Sequence, residues 1–255
     1  MKIVNTMGKK IQVQPYEGLA PIYDQVMDHV DYQRWADYVE SIWTGLEMRV
    51  SGVLELACGT GKLAEKLQEK GYKVDGLDLS WAMVREARGR GLKGHFWQGD
   101  MVNFKVKKSY DCFLCLYDSV NYLLQPRELM GMFRNVGDNA LQGALFIFDI
   151  CTERNSLKNF NNYFEKRRLG KVSYQRRVGY HPRSKIHWNT FIIRVSEPVK
   201  AVYEEHHRQR IYSREEVESA LKPGGWTLQG VYDGFTLNEA HEGSMRVHFV
   251  LEKGI

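Results

Sequence analysis

Two glycines and three carboxylates in the first hundred residues have the types and spacing to do chemistry. Within Val53 to Ala64, VLELACGTGKLA, an apolar run carrying Glu55 gives way to Gly59-x-Gly61 and then to a helix-like start. Glycine at both positions lets the backbone turn tightly and approach a ligand where a Cβ would clash. The free amides at the start of the following helix favour a polar or anionic group. A second apolar run, Tyr72 to Leu77, ends at Asp78 in GLDLS, the distance expected of a carboxylate that holds a ribose diol. A third run closes on Asp100 in HFWQGDM. Three signals in this order point to a site for a nucleoside-bearing cofactor.

The details narrow the choice of nucleoside. Gly59-x-Gly61-x-x-Ala64 also satisfies the dinucleotide fingerprint, with alanine in its third position. Glu55 weighs against that reading, because a dinucleotide fold continues with apolar residues up to the glycine. Asp100 has no standard role in dinucleotide binding either. ELACGTG, GLDLS with Met83, and QGDM instead resemble the first motif, the second motif and the adenine-contacting segment of class I S-adenosylmethionine-dependent methyltransferases. The resemblance covers Tyr16 to Ile150 well and resumes weakly from Tyr212. YEGLAPIYDQVMDHVDYQRWADYV and CLYDSVNYLL are similar to the branch that methylates nitrogen or oxygen of small molecules.

That resemblance implies S-adenosylmethionine as cofactor. It implies Glu55, Ala57, Gly59 and Gly61 at the methionine end, with the acidic position facing the amino group. Asp78 would accept from both ribose hydroxyls, Leu79 and Met83 would pack on the adenine face, and Asp100 with the Met101 amide would meet the adenine edge. Tyr16, Tyr23 and Trp35 would fold over the cofactor as a lid, with Tyr23 at its carboxylate. The segment after the fourth strand, Leu116, Tyr117, Asp118, Asn121 and Tyr122, would flank the sulfonium.

Methyl transfer asks little of the protein beyond alignment and an unprotonated acceptor. Asp118 is the expected orienting group or weak base, with helix capping as its alternative role, and Tyr117 lies beside it. His206 and His207 alternate faces if they lie on a strand, so one of them can look into the substrate cavity; His206 is the candidate base. The sequence lacks the Asn-Pro-Pro-Tyr motif of amino-methylating nucleic-acid enzymes and the Pro-Cys motif of cytosine carbon methylation. No histidine and carboxylate spacing supports a metal. Cys112-x-x-Cys115 sits in the strand-like DCFLCLYD, where residues three apart point to opposite faces, so these cysteines read as structural.

The elements that must position these residues follow from periodicity. Leu19 to Leu46 is helical in pattern, with a break near Asp31-Tyr32. Strands at 52–57, 72–77, 94–98, 109–116 and 143–150 then alternate with helices at 60–70, 80–90 and 126–139, the second capped by Ser80 and the first ended by Gly71. Such alternation predicts a doubly wound, Rossmann-like α/β sheet. After Cys151 aromatic and polar residues alternate, and His181 to Ser184 reads as a hairpin turn, which predicts an antiparallel insertion of three or four strands over 161–210. Ser213-x-x-Glu216 opens a last helix, and strands at 226–233 and 245–252 complete seven in the sheet, the last antiparallel as the resemblance implies. The expected organisation is an arm and helical cap over 1–46, with residues 1–15 flexible, a cofactor-binding core over 47–155 and 211–255, and a β insertion over 156–210 covering the substrate pocket.

The chain of 255 residues, 43% hydrophobic, suits one large α/β domain with an inserted lobe. No apolar run reaches a membrane span, the start lacks an apolar signal region, and four cysteines fit a reducing compartment, so a cytoplasmic protein is expected. The net charge of +5 is uneven. Between Lys158 and Lys185 nine basic residues face one acid, Glu165, with Phe160, Tyr163, Phe164, Tyr174 and Tyr180 interleaved. That composition keeps an RNA methyltransferase as the alternative to an enzyme acting on a small amine or hydroxyl compound. A non-catalytic S-adenosylmethionine-binding protein is the reading from a different class.

Overall fold

The computed structural model describes residues 10–197 and 200–254. The first part of the expected flexible arm, 1–9, lies outside the described residues. Inside them the chain opens with a strand, β1 (Lys10–Gln12), a 3-10 turn (Ala20–Ile22) and helices α1 (Tyr23–Val26) and α2 (Tyr32–Gly45). Then follow β2 (Gly52–Leu56), α3 (Lys62–Glu69), β3 (Lys73–Asp78), α4 (Trp81–Gly89), β4 (Phe96–Gln98), β5 (Cys112–Cys115), α5 (Pro126–Asn139) and β6 (Leu145–Cys151). The remainder is α6 (Glu153–Asn159), β7 (Tyr163–Leu169), β8 (Val172–His181), β9 (Ile186–Val195), β10 (Ala201–Arg210), α7 (Arg214–Ala220), β11 (Trp226–Asp233) and β12 (Arg246–Lys253).

Among the described residues the larger sheet has seven strands in the order β11-β12-β6-β5-β2-β3-β4. From β6 to β4 neighbours run parallel, while β12 is antiparallel to both β6 and β11. Side-chain alternation splits the core into two layers. Phe113, Cys115, Phe146 and Phe148 pack with residues of α5 and α7, and Cys112, Leu114, Leu145 and Ile147 pack with those of α2, α3 and α4. Cys112 and Cys115 therefore point into opposite layers. The predicted punctuation is present: Asp31 accepts from the Arg34 amide at the break before α2, and Ser80 from the Met83 amide before α4. Ser213 and Glu216 cap α7 reciprocally. No described helix is long and apolar enough to cross a membrane.

A second sheet, β1-β10-β9-β8-β7, is an antiparallel meander of four strands from the inserted segment, joined at its edge by β1 running parallel to β10. The arm is thus in part a strand. Its short, polar KIQ gives no alternation to read and is held by the ladder to Val202, Tyr203 and Glu204. The inner face, with Tyr174, Phe191 and Ile193, packs on Leu19, Ile22 and Val26. α6 is a helix that periodicity does not reveal: of its seven residues only Ser156 is buried, although Thr152 caps it through the Asn155 amide.

Candidate functional site

The carboxyl ends of β2, β3, β4 and β5 converge beneath the second sheet and the N-terminal segment. Two recesses open there, of about 1230 and about 80 Å³. Ala57 and Tyr16 border both.

Glu55, Tyr23, Trp35, Gly59, Met83, Leu116 and Tyr117 border the small recess. Glu55 is buried at the end of β2, and its Oε2 has no hydrogen-bond partner. Burial, then the neighbouring Asp78 charge, pushes its carboxyl up to about 8. An orphaned carboxylate oxygen in a recess is what a ligand ammonium group would satisfy. Gly59 has φ +56° and open space where a Cβ would lie, so the backbone is bare toward a ligand. Gly61 differs from expectation. Its φ is +77°, but an added Cβ would meet Leu92 at 2.8 Å and Ala87 at 3.3 Å, and it borders neither recess. It is glycine so that the turn can pack against the end of α4. Thr60 between them donates to Asp24 at 2.6 Å, Arg90 donates to the Thr60 carbonyl at 2.8 Å and also pairs with Asp24. This clasp ties α1 to the glycine turn.

Asp78, Leu79, Asp100 and Met101 line the large cavity. Asp78 accepts from the Gly59 amide at 2.9 Å and the Ser80 amide at 2.8 Å. Burial nevertheless pushes its carboxyl up to about 6, against the pull of those two amides. Leu79, 68% exposed, directly follows β3, and Asp100, whose Oδ1 accepts from the Val102 amide, lies just past β4. Met83 was expected beside Leu79 but is 2% exposed and faces the small recess, since α4 turns it toward the core under the glycine loop.

Three of the expected transfer residues are placed elsewhere, and the first, Asn121, is fully buried, donating to the Arg210 carbonyl at 2.7 Å and accepting from the Cys151 amide at 2.9 Å. Asp118 borders neither recess. Its carboxylate pairs with Arg246 at 2.8 Å and accepts from Gln209 at 2.6 Å, so it is committed to the framework. Asp149, fully buried, joins the same arginine and accepts the Asp118 amide. Arg246 lies 5.3 Å from the Trp35 ring and 5.2 Å from the Tyr117 ring. His206 faces outward, with its side chain 47% exposed and bonded to Thr190. On β10 the odd-numbered residues point inward, and it is His207 that is buried.

His207 belongs to a chain of polar groups that the sequence reading did not assemble. Tyr16 and Tyr122, which both line the large cavity, join hydroxyl to hydroxyl at 2.6 Å. The Tyr122 hydroxyl lies 3.0 Å from His207 Nδ1, and His207 Nε2 lies 2.9 Å from Glu205. Glu205 is fully buried and also accepts the amides of Tyr16, Gly18 and Leu19 at 2.6 to 2.8 Å. A carboxylate can only accept, so Nε2 carries the histidine proton and Nδ1 is left to accept from Tyr122. Burial first, with the adjoining Tyr122, raises the Tyr16 hydroxyl well above the usual phenol range, so it is protonated at neutral pH. Strict alternation in EEHHRQR was the available signal, but either parity satisfied it.

Comparison with known proteins agrees with this geometry. The family described as "Methyltransferase domain" matches residues 53–139. The chain is similar to a crystal structure of a S-adenosylmethionine-dependent methyltransferase from Clostridium acetobutylicum ATCC 824, with 26% identity and a TM-score of 0.79 over 94% of this chain and 99% of that one. It is 29% identical to the putative methyltransferase YqeM of Bacillus subtilis over 93% of this chain and 97% of the relative. The chain is an S-adenosylmethionine-dependent methyltransferase with the class I fold. A further relative of this methyltransferase is the dTDP-3-amino-3,6-dideoxy-alpha-D-glucopyranose N,N-dimethyltransferase of Streptomyces fradiae, 25% identical over 86% of this chain and 91% of the relative. The orphaned Glu55 oxygen, the bare Gly59 backbone and the buried Asp78 carboxylate are groups that a ligand carrying an ammonium and hydroxyls would satisfy.

Proposed function

We propose that this methyltransferase transfers a methyl group from S-adenosylmethionine to an amine or hydroxyl of a small molecule held beneath the second sheet. The observation that carries this reading is the continuity of one cavity of about 1230 Å³ from Asp78 and Asp100 to Ile193 and Tyr203 of that sheet. Pockets for drug-sized ligands run to roughly 300–1,000 Å³, so this one has room for a cofactor and a small acceptor. The relative from Streptomyces fradiae, named for an amino sugar, favours the same class.

When bound, the cofactor supplies a methyl group made electrophilic by its sulfonium. In our assignment Glu55 and the Ala57–Gly59 turn hold its amino acid part beside Tyr23 and Trp35. Asp78 holds the ribose, Leu79 covers the adenine, and Asp100 with the Met101 amide meets the adenine edge. Tyr117 and Leu116 wall the recess next to the transfer site. Tyr16 presents its hydroxyl to the acceptor and can pass a proton through Tyr122 to His207, whose imidazolium Glu205 would stabilise. In this assignment residues 156–197 and 200–210 roof the acceptor, 10–46 cap the cofactor, and 47–155 with 211–254 form the core. We assign the enzyme to the cytoplasm, in keeping with its four buried free thiols.

Calorimetry tests the cofactor half. S-adenosylmethionine and S-adenosylhomocysteine should bind and NAD should not. Asp78→Ala should weaken both by roughly 2–3 kcal/mol, the loss expected of charge-assisted bonds to two hydroxyls. An Asp78→Ala protein that binds as tightly as wild type would overturn the ribose assignment. Incorporation of labelled methyl into RNA or protein, with none into small molecules, would overturn the acceptor class.

A further inference from the structure

The acceptor half of the cavity has a definite chemical character. Val172, Ile193 and Val195 from the roof, with Ile22, Leu123 and Val102 from below, give it apolar walls. Among the described residues lining it, Arg85 is the one cation, and it is exposed and 3.6 Å from Glu86. Glu17, Asp78, Asp100 and Glu128 are the acids. None of the insertion's described basic side chains lines the cavity: Arg167 pairs with Asp28 at 2.7 Å, Lys185 and Arg210 pair with Glu216 at 3.1 and 3.0 Å, and Arg176, on the inner side of the roof, is held by Asn189 at 2.8 Å.

These facts bear on charge. A phosphate or carboxylate on the acceptor would leave water for an apolar wall with no cation to receive it, at a large desolvation cost. A hydroxyl acceptor attacks well only once deprotonated, and among the described residues lining the cavity the resulting oxyanion finds no cation but the exposed Arg85. An amine develops positive charge instead. In water it is a cation, which the lining acids Glu17 and Glu128 attract, and it must lose that proton before it attacks.

We infer that the acceptor is an apolar amine bearing no phosphate or carboxylate, which sets this enzyme apart from the relatives named for dTDP-linked sugars. The inference rests on the methyl-transfer reading above. The amine lone pair forms the new nitrogen–carbon bond, the carbon–sulfur pair stays with sulfur, and one nitrogen-bound proton leaves to the Tyr16 hydroxyl. That hydroxyl passes its own proton to Tyr122, and Tyr122 passes its own to His207 Nδ1.

The test incubates wild-type enzyme and [methyl-3H]S-adenosylmethionine with a small-molecule extract of source cells and, separately, with the macromolecular fraction of the same cells. An apolar amine product moves into organic solvent from strong alkali, stays in water from acid, and passes an anion exchanger. That pattern is the expected result, with Ile193→Glu lowering incorporation more than tenfold and leaving S-adenosylhomocysteine affinity within twofold. In parallel, thymidine diphosphate should show no saturable binding to the S-adenosylhomocysteine complex up to the millimolar range. Label held on the anion exchanger, label extracted from acid as well as from alkali, as for the neutral ether that O-methylation makes, or submillimolar thymidine diphosphate binding would overturn the inference and leave the methyltransferase reading intact. Label confined to macromolecules would overturn the small-molecule reading itself.

Discussion

At the residue scale, Glu55 makes the cofactor site sensitive to pH. Its carboxyl stands near 4.5 in an unfolded chain and is pushed up to about 8 in the folded one by burial and the Asp78 charge. The folded state therefore holds a proton that the unfolded state has lost, and stability falls as pH rises from about 5 to about 8. Asp78, pushed up to about 6, adds the same sign at the lower end of that window. A bound ammonium group would reverse the preference by favouring the ionised form of Glu55. Thermal melts of the free protein should fall across this range, and the fall should shrink in Glu55→Gln or with saturating S-adenosylmethionine. Cofactor affinity should rise with pH in wild type and be weaker and flatter in the variant. Parallel melting curves for the two proteins would remove Glu55 from the site. Much of this site was legible before any coordinates, because strand-end acids and a glycine turn sit at fixed chain distances. What was not legible depended on absolute orientation. His206 and His207 are adjacent on one strand, and alternation alone leaves open which of them points inward. Asp118 illustrates a second limit: its partner Arg246 is 128 positions away in sequence.

At the element scale, the inserted sheet and the N-terminal segment hold each other through Glu205. Its carboxylate takes the amides at 16, 18 and 19 just before the 3-10 turn, doing for that turn what a cap does from within a helix. Tyr16 is kept there at φ +68°, a conformation that costs a residue with a Cβ roughly 1–2 kcal/mol. Glu205→Gln should cost about 1.5–3 kcal/mol of stability. Hydrogen exchange should accelerate most at residues 16–19, well ahead of β2 and β6. Uniform acceleration over the whole chain would mean that the carboxylate does no more than any buried group. The main elements were readable from periodicity and caps, and their ends agree with the structure to within a few residues. β1 and α6 were not, because each buries too little to leave a pattern.

At the scale of the whole molecule, charge is arranged in two shells. The roof's outer face carries exposed Lys166, Arg168 and Arg177, with Phe164 and Trp188 nearby, while Arg167 and Arg176, on the inner side, are already engaged. An RNA enzyme would use the outer set on phosphates, and its affinity would fall steeply with salt. A titration with total tRNA at two salt concentrations should show only weak binding. Charge reversal at Lys166, Arg168 and Arg177 should leave labelled methyl transfer to small molecules unchanged. Submicromolar, salt-sensitive binding abolished by that reversal would favour the RNA reading. A different consequence attaches to Arg246. Asp118 and Asp149 are like charges held side by side by this one guanidinium, which also lies against Trp35 of α2 and Tyr117. A ribosome delivers the chain in order, so both carboxylates and the helix that shields them exist well before the cation that reconciles them. Until β12 arrives the pocket wall is a standing repulsion, and it is this late strand that settles it.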